Sequence, residues 1–164
     1  MKPFALFFYI VVFLMLAPLA FADDDATLLA QLLGQAESPQ RSAAEWEAVY
    51  ERAVTALVPG MGAAVLVERA DPQRTFEAIC VQAAQPDQEV QRAALCTVIG
   101  RHLGSDVPQP ARVWMLRELT WLGGAEVVEP VAKLLKDDDA LVAEEARRVL
   151  VHNPTAAATS ALRA

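Results

Sequence analysis

Two histidines, two cysteines, three tryptophans and the second of two Asp-Asp-Asp runs are the residues here that could do chemistry. His102 and His152 fall near the ends of predicted helices. A pair of imidazoles holds zinc only with further ligands close by, and the helix dipole alone favours a histidine near a helix C-terminus. Asp137-Asp138-Asp139 lacks the alternating ligands and the glycine of a calcium loop. It reads as an acidic turn with Asp139 as a helix cap. Cys80 and Cys96 are nearly equidistant from the turn at Gln85–Gln88, so on antiparallel helices they could oppose each other within disulfide reach. Cys80 also falls on an apolar stripe, where cysteine serves as a small buried residue, and both readings stay open. Trp46, Trp114 and Trp121 could line a ligand groove, although their helical spacing favours a core. No Cys-x-x-Cys, Gly-x-Ser-x-Gly, phosphate loop or dinucleotide fingerprint occurs. No catalytic, cofactor-binding or metal-binding residue is therefore assigned, and the chain reads as non-enzymatic.

The elements that must position these residues follow a leader. Lys2 supplies a positive start, Phe4 to Leu16 is an almost unbroken apolar run, Pro18 breaks it, and Ala20-Phe21-Ala22 is a small-x-small cleavage signature. The run is short for a membrane span. Residues 1–22 are expected to be a cleaved secretory signal, cut after Ala22, which places the mature chain in the periplasm or outside the cell. Cleavage leaves 142 of the 164 residues and, with Lys2 gone, takes the formal charge from −7 to −8. That charge, without a basic stripe interleaved with aromatics, argues against nucleic acid. Beyond the leader nothing calls for a membrane.

Residues 23–41 form an acidic start, Asp23-Asp24-Asp25, then a short helix with Leu28, Leu29, Leu32 and Leu33, then a polar linker. From 42 to 164 the pattern is helical throughout. Ser42-Ala43-Ala44-Glu45 is a capping box, and Trp46, Val49, Tyr50, Ala53 and Leu57 share one face after it. Pro59-Gly60 is expected to end that helix. A shorter one over Met61 to Arg69 turns Ala64, Val65 and Leu66 inward. Asp71-Pro72 reads as a fresh start, with Asp71 as cap and a stripe of Phe76, Ile79, Cys80 and Ala83. The next helix runs to about His102 with Val90, Ala94 and Val98 inward. After the Gly104–Pro110 loop, Met115, Leu119 and Leu122 form a stripe, with Arg117 and Glu118 meeting solvent. Gly123-Gly124 ends that helix. Val127, Val128, Val131, Leu134 and Leu135 mark another, in which Pro130 is tolerated if regular helix begins only at Val128 or Glu129. Val142, Ala146 and Leu150 line the next, and Pro154 opens a last one that reaches Ala164 without a polar cap.

Two segments superpose in sequence. Asp87, Val90, Ala94 and Val98 match Asp139, Val142, Ala146 and Leu150, an offset of 52 residues. An Asp cap, a Val anchor, a small Ala for close approach and a closing aliphatic are what stacked helix pairs require. This pattern resembles the second helix of a HEAT repeat, or of the short HEAT-like repeats of phycobilin lyases. The resemblance covers Trp114 to Arg163 well and Thr75 to Gly100 less closely. Family members commonly carry Arg directly after the turn-side Val. Here those positions are Gln91 and Ala143, so the resemblance implies no Asp–Arg ladder. It implies an all-α fold, a short right-handed α-solenoid of stacked antiparallel helix pairs, with residues 42–164 as the repeat domain.

The function that follows is a non-catalytic protein–protein interaction or scaffold module in an exported compartment, with a protein partner. Arg92, Glu144, Glu145 and Arg148 are the exposed charges that would tune such a surface. The alternatives are an accessory segment of a longer protein and a HEAT-like lyase-type enzyme.

Overall fold

A computed structural model describes Leu32 and residues 41–164; the leader and most of the acidic start and linker lie outside the described residues. Among the described residues the fold is all-α, with no strand. The helices are α1 (Ala43–Met61), α2 (Leu66–Ala83), α3 (Glu89–Arg101), α4 (Gln109–Leu122), α5 (Val128–Lys133), α6 (Ala140–His152) and α7 (Ala156–Ala161). Short 3-10 turns, Ala125–Val127 and Leu134–Lys136, flank α5. Pro130 therefore sits where regular helix has only just begun.

The packing has two layers. In one, α1 lies against α3, α3 against α5, and α5 against α7. In the other, α2 lies against α4 and α4 against α6. The apolar stripes read from the sequence meet between the layers: Trp46, Tyr50, Ala53 and Leu57 from α1, Phe76, Ile79, Cys80 and Ala83 from α2, Met115, Leu119 and Leu122 from α4, and Val142, Ala146 and Leu150 from α6. Leu32, helical and buried, joins the same core.

Side-chain caps set three of the seven described helix starts. Ser42 and Glu45 form the reciprocal box: the Ser42 Oγ accepts from the Glu45 amide at 3.4 Å and the Ser42 amide donates to the Glu45 carboxylate at 2.8 Å. Asp139 Oδ1 accepts from the Leu141 and Val142 amides at 2.9 and 3.2 Å and caps α6. Thr155 caps α7 through the Ala158 amide.

Three boundary expectations are corrected. Pro59-Gly60 does not end α1, which continues to Met61. Pro59 lies in the last turn and costs one backbone bond, while the fully buried Met61 side chain holds that turn onto the core. Asp71-Pro72 does not start a helix, because α2 runs through both residues from Leu66. Asp71 pairs with Arg74 instead, and its carbonyl accepts from Thr75 Oγ1 at 2.9 Å. Asp87 does not cap α3. It adopts φ 66°, a left-handed turn conformation that Asp tolerates, and Gln88 precedes the helix without a side-chain cap.

Facing is corrected too. Ala64, Val65 and Leu66 do not point inward; Leu66 and Val67 are 76% and 77% exposed. The inward stripe of α2 begins at Pro72. Carried back one turn, it falls on Glu68 and Arg69 rather than on Leu66 and Val67. Val90 is also exposed, and its neighbour Gln91 bonds the Tyr50 hydroxyl across to α1 at 3.2 Å.

Gly60 lets α1 and α2 approach: a Cβ placed there would meet Pro72 Cγ at 2.5 Å. Gly60→Ala should therefore cost about 1–3 kcal/mol by forcing the helices apart. Urea unfolding would check it, and a stabilised variant would show that the contact is not tight.

Candidate functional site

The charged residues divide into those that bind helices together and those that line open surface. Arg112 on α4 is buried. Its Nε donates to the Leu103 carbonyl at 3.0 Å and its guanidinium pairs with Asp137, whose other oxygen accepts from the Asp139 amide at 3.0 Å. The Arg112 hydrogen bond holds the Asp137 carboxyl below the usual carboxylate range. Arg92 on α3 makes the corresponding reach, to the Leu122 carbonyl at 2.9 Å and to Glu126 at 2.7 Å. Asn153 Nδ2 donates to the Gly124 carbonyl at 2.7 Å. The carbonyls that end α3 and α4 thus find partners on other helices, as helix C-termini require. Arginine does bridge neighbouring elements here, but from Arg92 and Arg112 rather than from the turn-side positions Gln91 and Ala143.

Two of the charges expected on the outside therefore belong to the interior. Arg92 is half-buried in its pair with Glu126. Glu145 is buried, with Arg117 at 3.2 Å and Arg148 at 3.3 Å offsetting its desolvation. Glu144 and Arg148 remain exposed. Glu118 also departs from expectation. It is buried at the α2–α4 seam and accepts from the Trp121 indole N–H at 3.1 Å. Burial, then the nearby Glu77 carboxylate, push it up to about 7.

A carboxyl raised above its ordinary 4.5 stabilises the fold while protonated. That contribution is complete below pH 4.5 and is lost as pH rises through about 7. Glu118→Gln keeps an acceptor for Trp121 and removes the titration. Between about pH 5 and pH 8 the natural chain should lose about 1–2 kcal/mol relative to this variant, allowing for partial solvent screening. Parallel pH profiles in urea unfolding would disprove the assignment.

The residues first considered for chemistry do not come together. His102 Nε2 lies 2.7 Å from Glu51, and His152 Nδ1 lies 2.9 Å from the Arg148 carbonyl. No group of three or more His, Cys, Asp or Glu suited to a metal occurs among the described residues. Cys80 and Cys96 are free and buried. Burial pushes both thiols up, Cys96 to about 12, so neither supplies the thiolate that reactivity needs. Trp46 is core, stacked on Tyr50 with centroids 5.6 Å apart. Trp114 is half-buried and Trp121 is 51% exposed, so the three tryptophans do not form one wall.

One concave surface combines apolar and charged side chains. It is an open groove of about 200 Å³ between α2 and α4, with Leu141 of α6 also in its lining. Its apolar lining is Leu66, Pro110, Val113, Trp114 and Leu141; its polar lining is Arg69, Gln73, Gln109 and Arg117. A second depression, about 260 Å³, is only the outer face of α1 over Glu51 to Ala56 and brings no two elements together.

The groove follows from how α2 is built. Its apolar stripe holds it to the core only from Pro72 onward. Its first turns, before Pro72, bury no side chain and leave Leu66 exposed. Leu66 and Arg69 share the groove with Pro110 to Arg117, and Glu77 acts on Glu118 further along. The two helices therefore run parallel, with Arg69 in the first turn of α2 and Arg117 in the third turn of α4, directly before Glu118. Arg69 is anchored by the Ala63 and Ala64 carbonyls, and Arg117 by Glu145. Single-sequence reading missed the groove because it depends on the spacing between helices. The available signal was the apolar Val65-Leu66-Val67 run, out of phase with the stripe that follows it. Compared with family models, with characterised proteins and with solved structures, the chain finds no match.

Proposed function

We propose that this chain is a non-catalytic interaction module of the short α-solenoid type, exported by its leader, and that the α2–α4 groove is its binding surface. The observation that carries the reading is the groove itself: a pre-formed concavity between helices, with apolar walls and a few charged groups to orient what enters. Alternation of the helices between two layers supports a solenoid, since stacked pairs create such surfaces. The buried, protonated thiols fit a binding role better than a nucleophilic one.

A peptide-display selection against the mature chain tests the reading. Enriched peptides should bind and lose at least about tenfold in affinity on Leu66→Asp, a factor worth about 1.4 kcal/mol. Leu66 is so exposed that this change leaves the core alone. A selection that enriches nothing, or peptides indifferent to Leu66→Asp, would refute the groove. Mass spectrometry of the exported chain should give Asp23 as its first residue.

A further inference from the structure

The groove has a charge pattern that narrows its occupant. The whole chain is acidic, with 21 Asp and Glu against 14 Lys and Arg. Yet the groove lining holds two arginines and no carboxylate. Leu66 lies in the first turn of α2, Pro110 in the first turn of α4, and Leu141 in the first turn of α6. The N-terminal turns of three helices therefore line the groove together with Arg69, while Arg117 reaches it from the third turn of α4. Of the carboxylates around it, Glu145 pairs with Arg117 and Asp139 is bonded to the α6 amides, while Glu68, beside Arg69, faces solvent outside the lining. Glu118, the residue after Arg117, is turned into the α2–α4 seam beside Glu77 and does not line the groove.

We infer that the groove takes an acidic, aliphatic peptide segment of a partner protein. An aliphatic side chain seats against Leu66, Val113, Trp114 and Leu141, with carboxylates directed to Arg69 and Arg117. This assignment rests on the groove being the binding surface.

Fluorescence anisotropy on the mature chain tests it, with a labelled peptide Asp-Asp-Leu-Leu-Glu-Leu and its Lys-Lys-Leu-Leu-Lys-Leu counterpart. The acidic probe should bind at least about tenfold tighter than the basic one. It should lose that advantage as salt is raised to about 0.5 M, where screening acts over a few ångströms. Leu66→Asp and Leu141→Asp, both at exposed positions, should each weaken it at least about tenfold. Equal binding of the two probes, or failure of the acidic probe where display peptides still bind through Leu66, overturns the charge assignment and leaves the groove reading standing. If the acidic probe binds only after Asp23, Asp24 and Asp25 are changed to Asn, the groove is occupied by the chain's own acidic start, and the partner assignment is overturned.

Discussion

Arg112→Ala should destabilise the protein by about 2–4 kcal/mol, through the loss of a buried guanidinium's charge-assisted hydrogen bonds, with Asp137 left partly open to solvent. Arg112 is 5% exposed and joins three elements at once: α4, the carbonyl of Leu103 after α3, and Asp137 before α6. Its removal takes a donor from the Leu103 carbonyl and leaves Asp137 with the Asp139 amide alone. Replacing the pair by Arg112→Met with Asp137→Leu should recover much of the loss, because a packed apolar pair avoids the desolvation penalty. Urea unfolding of the three variants decides the matter. A single-variant loss under about 1 kcal/mol, or a double variant no better than the single, would remove the pair from the fold's main supports.

Phe76→Ala is expected to cost about 3–5 kcal/mol through lost burial and the cavity left behind. Phe76 is fully buried, and it is the largest side chain on the only stripe that fastens α2 to the core. Peptide binding should weaken in parallel, since α2 forms one wall of the groove. A change in midpoint of less than about 1 kcal/mol would mean that α2 is held elsewhere.

What was legible in the sequence is what neighbouring residues decide among themselves. The Ser42–Glu45 box, the Asp139 cap and the four-spaced stripes each depend on one turn of helix, and the structure has them, save that Val90 is exposed at the start of its stripe. Pro59 and Pro72 misled because proline's local penalty is real, yet burial of Met61 and Phe76 outweighs it. Glu118 and Glu145 looked like solvated charges because their environments come from other helices: Glu77 on α2 beside one, Arg117 on α4 beside the other. The groove was illegible for the same reason. Its lining comes from three helices separated along the chain, and only their packing distance opens it.

The uneven attachment of α2 has a kinetic consequence. From Pro72 to Ala83 the helix is clamped by core side chains, whereas Leu66 to Asp71 is held mainly by its own backbone bonds and the Arg69 tether. Amide hydrogens in these first turns should therefore exchange with solvent through local fraying, long before those around Phe76, which wait for opening of the whole domain. A ligand that bridges α2 to α4 would slow exchange in that short stretch first. The earliest protected amides would then be a fingerprint of occupancy, readable without knowing what the occupant is.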